Sequence, residues 1–399
     1  MRALSRLLAL VLAGLAGSVG AALHVPASDA TVVATVRPRG LESASEADQR
    51  QLRRQLQQQP ASLPLALGVA QSAIERARRD GDPRELGAAQ AALAPWWGLA
   101  DPPAGVRLLR AIVRQSQHQF EAALADFAKV HDDPRAAPAL RAQAELSAAG
   151  VLQVLGRFDA ARAHCERLLD SGPAALPARV CMAELDSLAG RTAPAAELLA
   201  TLAARAAPSE AAWIALVRAE LAERRGDARA GLLYQAALHA PDTYRLAAYA
   251  DWLLANGRTA EVPTLLAGAK AADALLLRLA IAQRRLGQPE AAANRAALQA
   301  RFEAARLRGD RLHAREEARA ALDLDEDAAR ALGLAQAQWA QQKEPADALL
   351  LVRTARAAGR PEAAEPVWQF MRETGYRDAR LQAPQLAPAR SQLLAGVRP

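Results

Sequence analysis

Apolar and small residues recur at helical spacing along most of this chain. The rhythm is clearest in residues 142–173, AQAELSAAGVLQVLGRFDAARAHCERLLDSGP. From Ala144 to Leu155 they fall three and four apart, which puts their side chains on one helix face. Gly156-Arg157-Phe158-Asp159 interrupts the pattern, and a second apolar helix over 159–169 stops at Gly172-Pro173. Two helices of roughly fourteen residues joined by so tight a turn predict an antiparallel helical hairpin.

The pattern repeats. Turn glycines follow Gly156 at Gly190, Gly226, Gly257 and Gly287, at intervals of 34, 36, 31 and 30 residues. Counting backwards, His118 lies 38 residues before Gly156, and Gly81 lies 37 before His118. Seven turns at this near-constant period predict an array of stacked hairpins, each burying its apolar face against its neighbours. Past Gly287 the phase changes. Residues 289–308 read as one long helix without the expected turn, and 312–322, 327–342, 346–358 and 362–373 follow as single helices.

The internal pattern resembles that of tetratricopeptide repeats. Ala148-Ala149, Gly156, Phe158, Ala161 and Pro173 stand where that family has its small pair, turn glycine, aromatic residue, second-helix alanine and closing proline. Ala111, Phe120, Ala123, Phe127 and Pro134 match the same scheme, and Ala250, Leu253, Gly257 and Ala269 match in part. The resemblance covers roughly residues 63–375. It implies an all-α, right-handed α-solenoid of stacked antiparallel helical hairpins, of the kind exported bacterial repeat proteins use to bind partners. It encodes packing and carries no chemistry of its own.

Composition agrees with this architecture. Of 399 residues 51% are hydrophobic but only 4% aromatic, so alanine and leucine must build the core, which suits closely packed helices. Net charge is +7 with histidine neutral. Lysine occurs only at Lys129, Lys270 and Lys343, and arginine supplies the rest of the 50 basic residues. The arginines are interspersed with acids, and no basic run alternates with aromatics, so a nucleic-acid partner is not expected.

The N-terminus carries a targeting pattern. Arg2 and Arg6 precede an apolar run over 7–19 and the small residues Gly20-Ala21-Ala22. That layout predicts a signal peptide over 1–22 and a periplasmic or secreted product. The run is short for a membrane span, an uncleaved anchor is the alternative, and no membrane span is expected in the mature chain. Residues 23–62 read as an extended leader and a polar, Gln-rich first helix, 63–375 as the repeat array, and 376–399 as a C-terminal cap or loose tail.

Candidate chemistry is sparse. Cys165 and Cys181 lie on successive helices, each six residues from the 171–175 turn, so their sulfurs fall at equal height and predict a disulfide; two buried thiols are the alternative. None of the six histidines sits at a metal or catalytic spacing, and His313 with Glu317 reads as a surface pair. No phosphate loop, nucleophile elbow or zinc-protease motif occurs, so neither cofactor nor metal is expected and the chain reads as a non-enzyme. The acidic run Asp323-Leu324-Asp325-Glu326-Asp327 reads as helix capping and solvation.

Two sets of residues remain. Trp96-Trp97 can stack on a sugar or clamp a peptide if exposed, or plug the junction between hairpins if buried. The first helix of each hairpin lines the inner surface of such an array, and the repeat phase places Gln115, Gln153, Glu184, Glu220, Asp251 and Arg284 there. The leading reading is a protein-interaction scaffold that holds a peptide or partner protein in this groove. The second is a glycan-binding or cell-envelope assembly factor. Oligomeric state is not legible in the sequence.

Overall fold

The computed structural model describes residues 44–268, 272–307, 309 and 314–383. The signal peptide, the extended leader up to 43, His24, Ala269, Lys270, His313 and residues 384–399 lie outside the described residues. Residues 1–50 and 51–399 form two compact units, and the architecture that follows is that of the second.

Among the described residues there are twenty α-helices and no strand. A first helix, α1 (Ala44–Gln58), is polar and largely exposed, but Leu52 and Leu56 pack on the core that follows. Then come antiparallel pairs: α2 (Leu63–Asp80) with α3 (Arg84–Ala92), and, after the short α4 (Ala94–Trp97), α5 (Ala104–Ser116) with α6 (Phe120–Asp132). They continue with α7 (Pro138–Val154) and α8 (Phe158–Glu166), α9 (Ala175–Leu188) and α10 (Thr192–Arg205), and α11 (Pro208–Arg224) and α12 (Ala230–Ala237). The sixth pair is unequal, α13 (Thr243–Ala255) with the short α14 (Val262–Leu265).

The chain past Gly287 keeps the same alternation. The long helix α16 (Glu290–Leu307) is the partner of α15 (Asp273–Arg285). The segments that read as single helices form two further hairpins, α17 (Ala314–Asp323) with α18 (Ala328–Gln341), and α19 (Pro345–Ala357) with α20 (Glu365–Thr374). The fold is an all-α solenoid of stacked antiparallel hairpins, tetratricopeptide-like in its repeat.

The turns show why the sequence folds this way. At Gly156 (φ 75°) the Gly156 N–H donates to the Gln153 carbonyl and the Arg157 N–H to the Leu152 carbonyl. That is a left-handed cap, which closes the open end of α7 and reverses the chain. The same pair of bonds recurs at Gly190, Gly226 and Gly287, all with positive φ. In the second hairpin His118 (φ 57°) takes the glycine's place. Prolines stand in the first turn of α7, α11 and α19, where no N–H partner is needed. Alanines at the helix crossings, among them Ala111, Ala148, Ala219, Ala250 and Ala280, are at most 3% exposed and let the backbones approach. Cys165 and Cys181 form the expected disulfide, which ties α8 to α9.

The last hairpin folds back on the middle of the array. The Lys343 N–H donates to the Val154 carbonyl at 2.7 Å, and the Arg377 N–H to the Leu188 carbonyl at 3.0 Å. These two donors cap the C-terminal ends of α7 and α9. Phe370 packs edge-on against Phe158, and Tyr376 and Leu381 are buried in a shared cluster with Leu188. At the other end of the array, the Thr243 hydroxyl donates to the Arg79 carbonyl, so the start of α13 meets the end of α2.

Candidate ligand cavity

The returning hairpin leaves a cavity of about 790 Å³ between it and the inner helices. That volume lies in the range of small-ligand sites. Its floor is α13, from which Thr243, Tyr244, Ala247, Ala248, Asp251, Leu254 and Ala255 all line the space. Their spacing, four and three apart, is one continuous stripe along the whole helix.

The C-terminal ends of α7, α9 and α11 supply one wall, with Gln153, Glu184, Glu220, Glu223 and Arg224. Here acids outnumber cations. Glu223 is paired with Arg380 at 2.9 Å and accepts from the Tyr234 hydroxyl at 2.6 Å. Arg224 is only 5% exposed and gives one nitrogen to Ser187, while its Nε has no partner. Glu184 and Glu220 form no ion pair among the described residues. Gln153 donates to Glu184, and the Tyr244 hydroxyl donates to Glu220 at 2.8 Å. Burial lifts the Glu220 carboxyl to about 7, with the neighbouring Glu184 charge adding to the rise and Arg224 opposing it. Burial also raises Glu184, again against the pull of Arg224. Two buried carboxylates that share the influence of a single arginine cannot both be ionised cheaply.

The opposite wall comes from α15, α17 and the start of α19, and is rich in arginine. Most of it is neutralised in place. Arg278 and Arg319 grip Asp251 at 2.6 and 2.5 Å. Burial alone would raise Asp251, but these two guanidiniums outweigh it and hold the carboxyl at about 2. Arg315 binds Asp347 at 2.7 Å and also Glu344, and Arg353 binds Asp323 at 2.5 Å. Besides Arg224, three lining cations have no carboxylate partner. Arg285 donates to the Leu254 carbonyl at 2.9 Å, Lys343 donates to the Trp339 carbonyl over that indole ring, and Arg78 stands exposed in no hydrogen bond.

Four residues placed on the inner surface by the repeat phase, Gln153, Glu184, Glu220 and Asp251, line this cavity. Two do not. Gln115 is on α5, which contributes no residue to the lining, and its Oε1 is buried without a partner. Arg284 turns away to Glu326 and the Asp323 carbonyl, and its neighbour Arg285 faces the cavity instead.

Trp96 and Trp97 are half-buried on the core of the first two hairpins, and the Trp97 carbonyl accepts from Arg110 at 2.7 Å. They take no part in the cavity. The acidic run 323–327 is capping in part, since Asp327 accepts from the Arg330 N–H, but it is ion-paired and not simply solvated: Asp323 holds Arg353 and Asp325 holds Arg295. Glu317 binds Arg306 and Arg330. Among the described residues no cluster of histidine, cysteine and acids could hold a metal, and no helix is long and apolar enough to cross a membrane.

No family model matches this chain, and no curated protein matches it. Solved structures resemble it weakly. The Rap protein complexed with competence and sporulation factor aligns with a TM-score of 0.49 at 11% identity, over 85% of this chain and 93% of that one. A monomeric IFIT1 mutant with m7Gppp-AAAA aligns with a TM-score of 0.36 at 13% identity, over 82% and 67%. The TPR domain of P58(IPK) aligns with a TM-score of 0.21 at 14% identity, over 79% and 94%.

Proposed function

We propose that this chain is a non-enzymatic binding scaffold that takes a peptide or a segment of a partner protein into the cavity above α13. The observation that supports this most is the pairing of an inner helix stripe with unneutralised charges. Glu184 and Glu220 stand on one side; Arg285 and Lys343 stand on the other. Charges left without partners at a solvent-accessible inner surface gain most from a ligand that supplies the missing counter-charge.

We further propose that the protein works outside the cytoplasm, reached through the signal pattern of 1–22. The Cys165–Cys181 disulfide supports that location, since such bonds persist in oxidising compartments. A glycan-binding role draws no support from Trp96 and Trp97, which are spent on packing.

The test is site-specific photo-crosslinking in the native cell envelope, with the photoreactive residue at Ala248 in the cavity or at Leu232 on the outer surface. Adducts formed from position 248 and absent from position 232 are expected. Equal labelling from both, or turnover of a substrate by the purified chain, overturns the reading.

A further inference from the structure

The cavity has a direction, and α13 sets it. Glu220 is held by Tyr244 at the N-terminal end of that helix, and Arg285 is held by the Leu254 carbonyl at its C-terminal end. Ten residues of α-helix separate these two anchors, a span of about 15 Å. An extended chain covers that length in four to five residues. Between the anchors the floor presents Ala247 and Ala248, which leave the backbone of a ligand room to lie flat, and Asp251, whose charge is already taken by Arg278 and Arg319.

Resting on the reading of the cavity as a peptide site, we propose that its ligand is a short linear peptide with free ends, extended along α13, its terminal ammonium between Glu184 and Glu220 and its terminal carboxylate on Arg285. The acidic end carries two carboxylates near a single arginine, Arg224, because Arg380 is engaged by Glu223 and Asp378. An ammonium there supplies the absent positive charge, and Gln153 and Tyr244 hold the two acids in place for it. The groups that face Glu220 are Glu184 from α9, Glu223 and Arg224 from its own helix and Tyr244 from α13. Of these, Glu220 is the carboxyl lifted to about 7, with Glu184 raised beside it, so an incoming ammonium displaces a proton from Glu220. Binding near pH 6.5 therefore releases protons, and affinity falls as the pH drops below about 7.

The experiment uses the full chain with its disulfide intact and a library of random tetrapeptides in three forms: free at both ends, N-acetylated, and C-amidated. Peptides retained by the protein at pH 8 are separated by gel filtration and counted by mass spectrometry. Free peptides should be retained at least tenfold over both blocked forms. Glu220→Gln and Glu184→Gln should erase the preference over acetylated peptides alone, and Arg285→Ala the preference over amidated peptides alone. Equal retention of free and acetylated peptides overturns the proposal. So does retention of acetylated peptides only when they contain lysine, since the cation then comes from a side chain. In either case, loss of binding in Ala248→Trp, which fills the cavity, leaves the peptide-site reading standing. If none of the three forms is retained, both fall.

Discussion

The N–H of Lys343 donates to the carbonyl of Val154 at 2.7 Å, joining the entrance of α19 to the exit of α7. In an open array both groups would face water. Here each satisfies the other, and the ninth hairpin is held against the third. The cavity exists because of that contact and the parallel one from Arg377 to Leu188. Several outcomes follow from this closure and from the charges it encloses.

Gly156 should be the least replaceable of the turn glycines. Its φ is +75°, and an added Cβ would lie 2.5 Å from the Phe370 ring. Gly257 has nearly the same φ, +74°, with nothing within 4 Å of that point. Gly257→Ala should therefore cost only the backbone strain, about 1 kcal/mol. Gly156→Ala should cost about 2–4 kcal/mol, because Phe370 is wedged against Phe158 and Trp339 and cannot yield freely. Urea unfolding of the two variants measures the difference; equal midpoints would show that the returning hairpin is not seated on this turn.

Glu220→Gln should stabilise the unliganded protein at pH 8 and leave it nearly unchanged at pH 4. The folded-state carboxyl titrates at about 7, above its ordinary value of 4.5. A raised acid favours the folded state only while protonated, so stability declines as the pH rises from about 4.5 through 7. The full penalty above pH 7 is at most about 3 kcal/mol, and water admitted by the cavity reduces it. Thermal melts of wild type and variant at the two pH values test the sign.

Asp251→Asn should act in the opposite sense. Its carboxyl is held at about 2 by Arg278 and Arg319, below the ordinary 3.8. A depressed acid stabilises the fold above its unfolded pKa, and that contribution, about 2 kcal/mol, is lost as the pH falls from about 4 to 2. The variant should be less stable than wild type at pH 7, with two guanidiniums left facing each other, and the gap should narrow toward pH 2 in guanidinium-free melts.

Reduction of Cys165–Cys181 should lower stability without abolishing the fold. The bridge closes a loop with a sequence separation of 16, for which chain entropy gives about 3 kcal/mol. Non-reducing peptide mapping should show the two cysteines joined, and Cys165→Ala with Cys181→Ala should melt earlier while keeping its helical circular dichroism.

The hairpins were legible because their determinants are local. The caps at Gly156, Gly190 and Gly226 need a residue that tolerates positive φ, and the crossings at Ala148 and Ala219 need a small one, so each leaves a mark at a fixed interval. The cavity was half legible for the same reason. Glu184, Glu220 and Asp251 stand out as polar positions on helices otherwise made of alanine and leucine. Its arginine wall was not. Arg278, Arg315, Arg319 and Arg353 look like any other scattered cations until α17 and α19 are seen to bring them to one surface. Nor does any periodicity announce that Phe370 will meet Gly156, or Arg377 Gly190, because such contacts join parts of the chain far apart in sequence.

The fastening of Lys343, Phe370 and Arg377 onto the third and fourth turns has a consequence for how this protein can change over time. A linear stack lengthens harmlessly when one unit is duplicated, since each unit touches only its neighbours. A stack whose tail is buttoned to its own middle does not. One extra hairpin between α9 and α19 would carry the buttons past their holes, and one fewer would leave them short. The count of hairpins is thus as constrained here as the size of a ring.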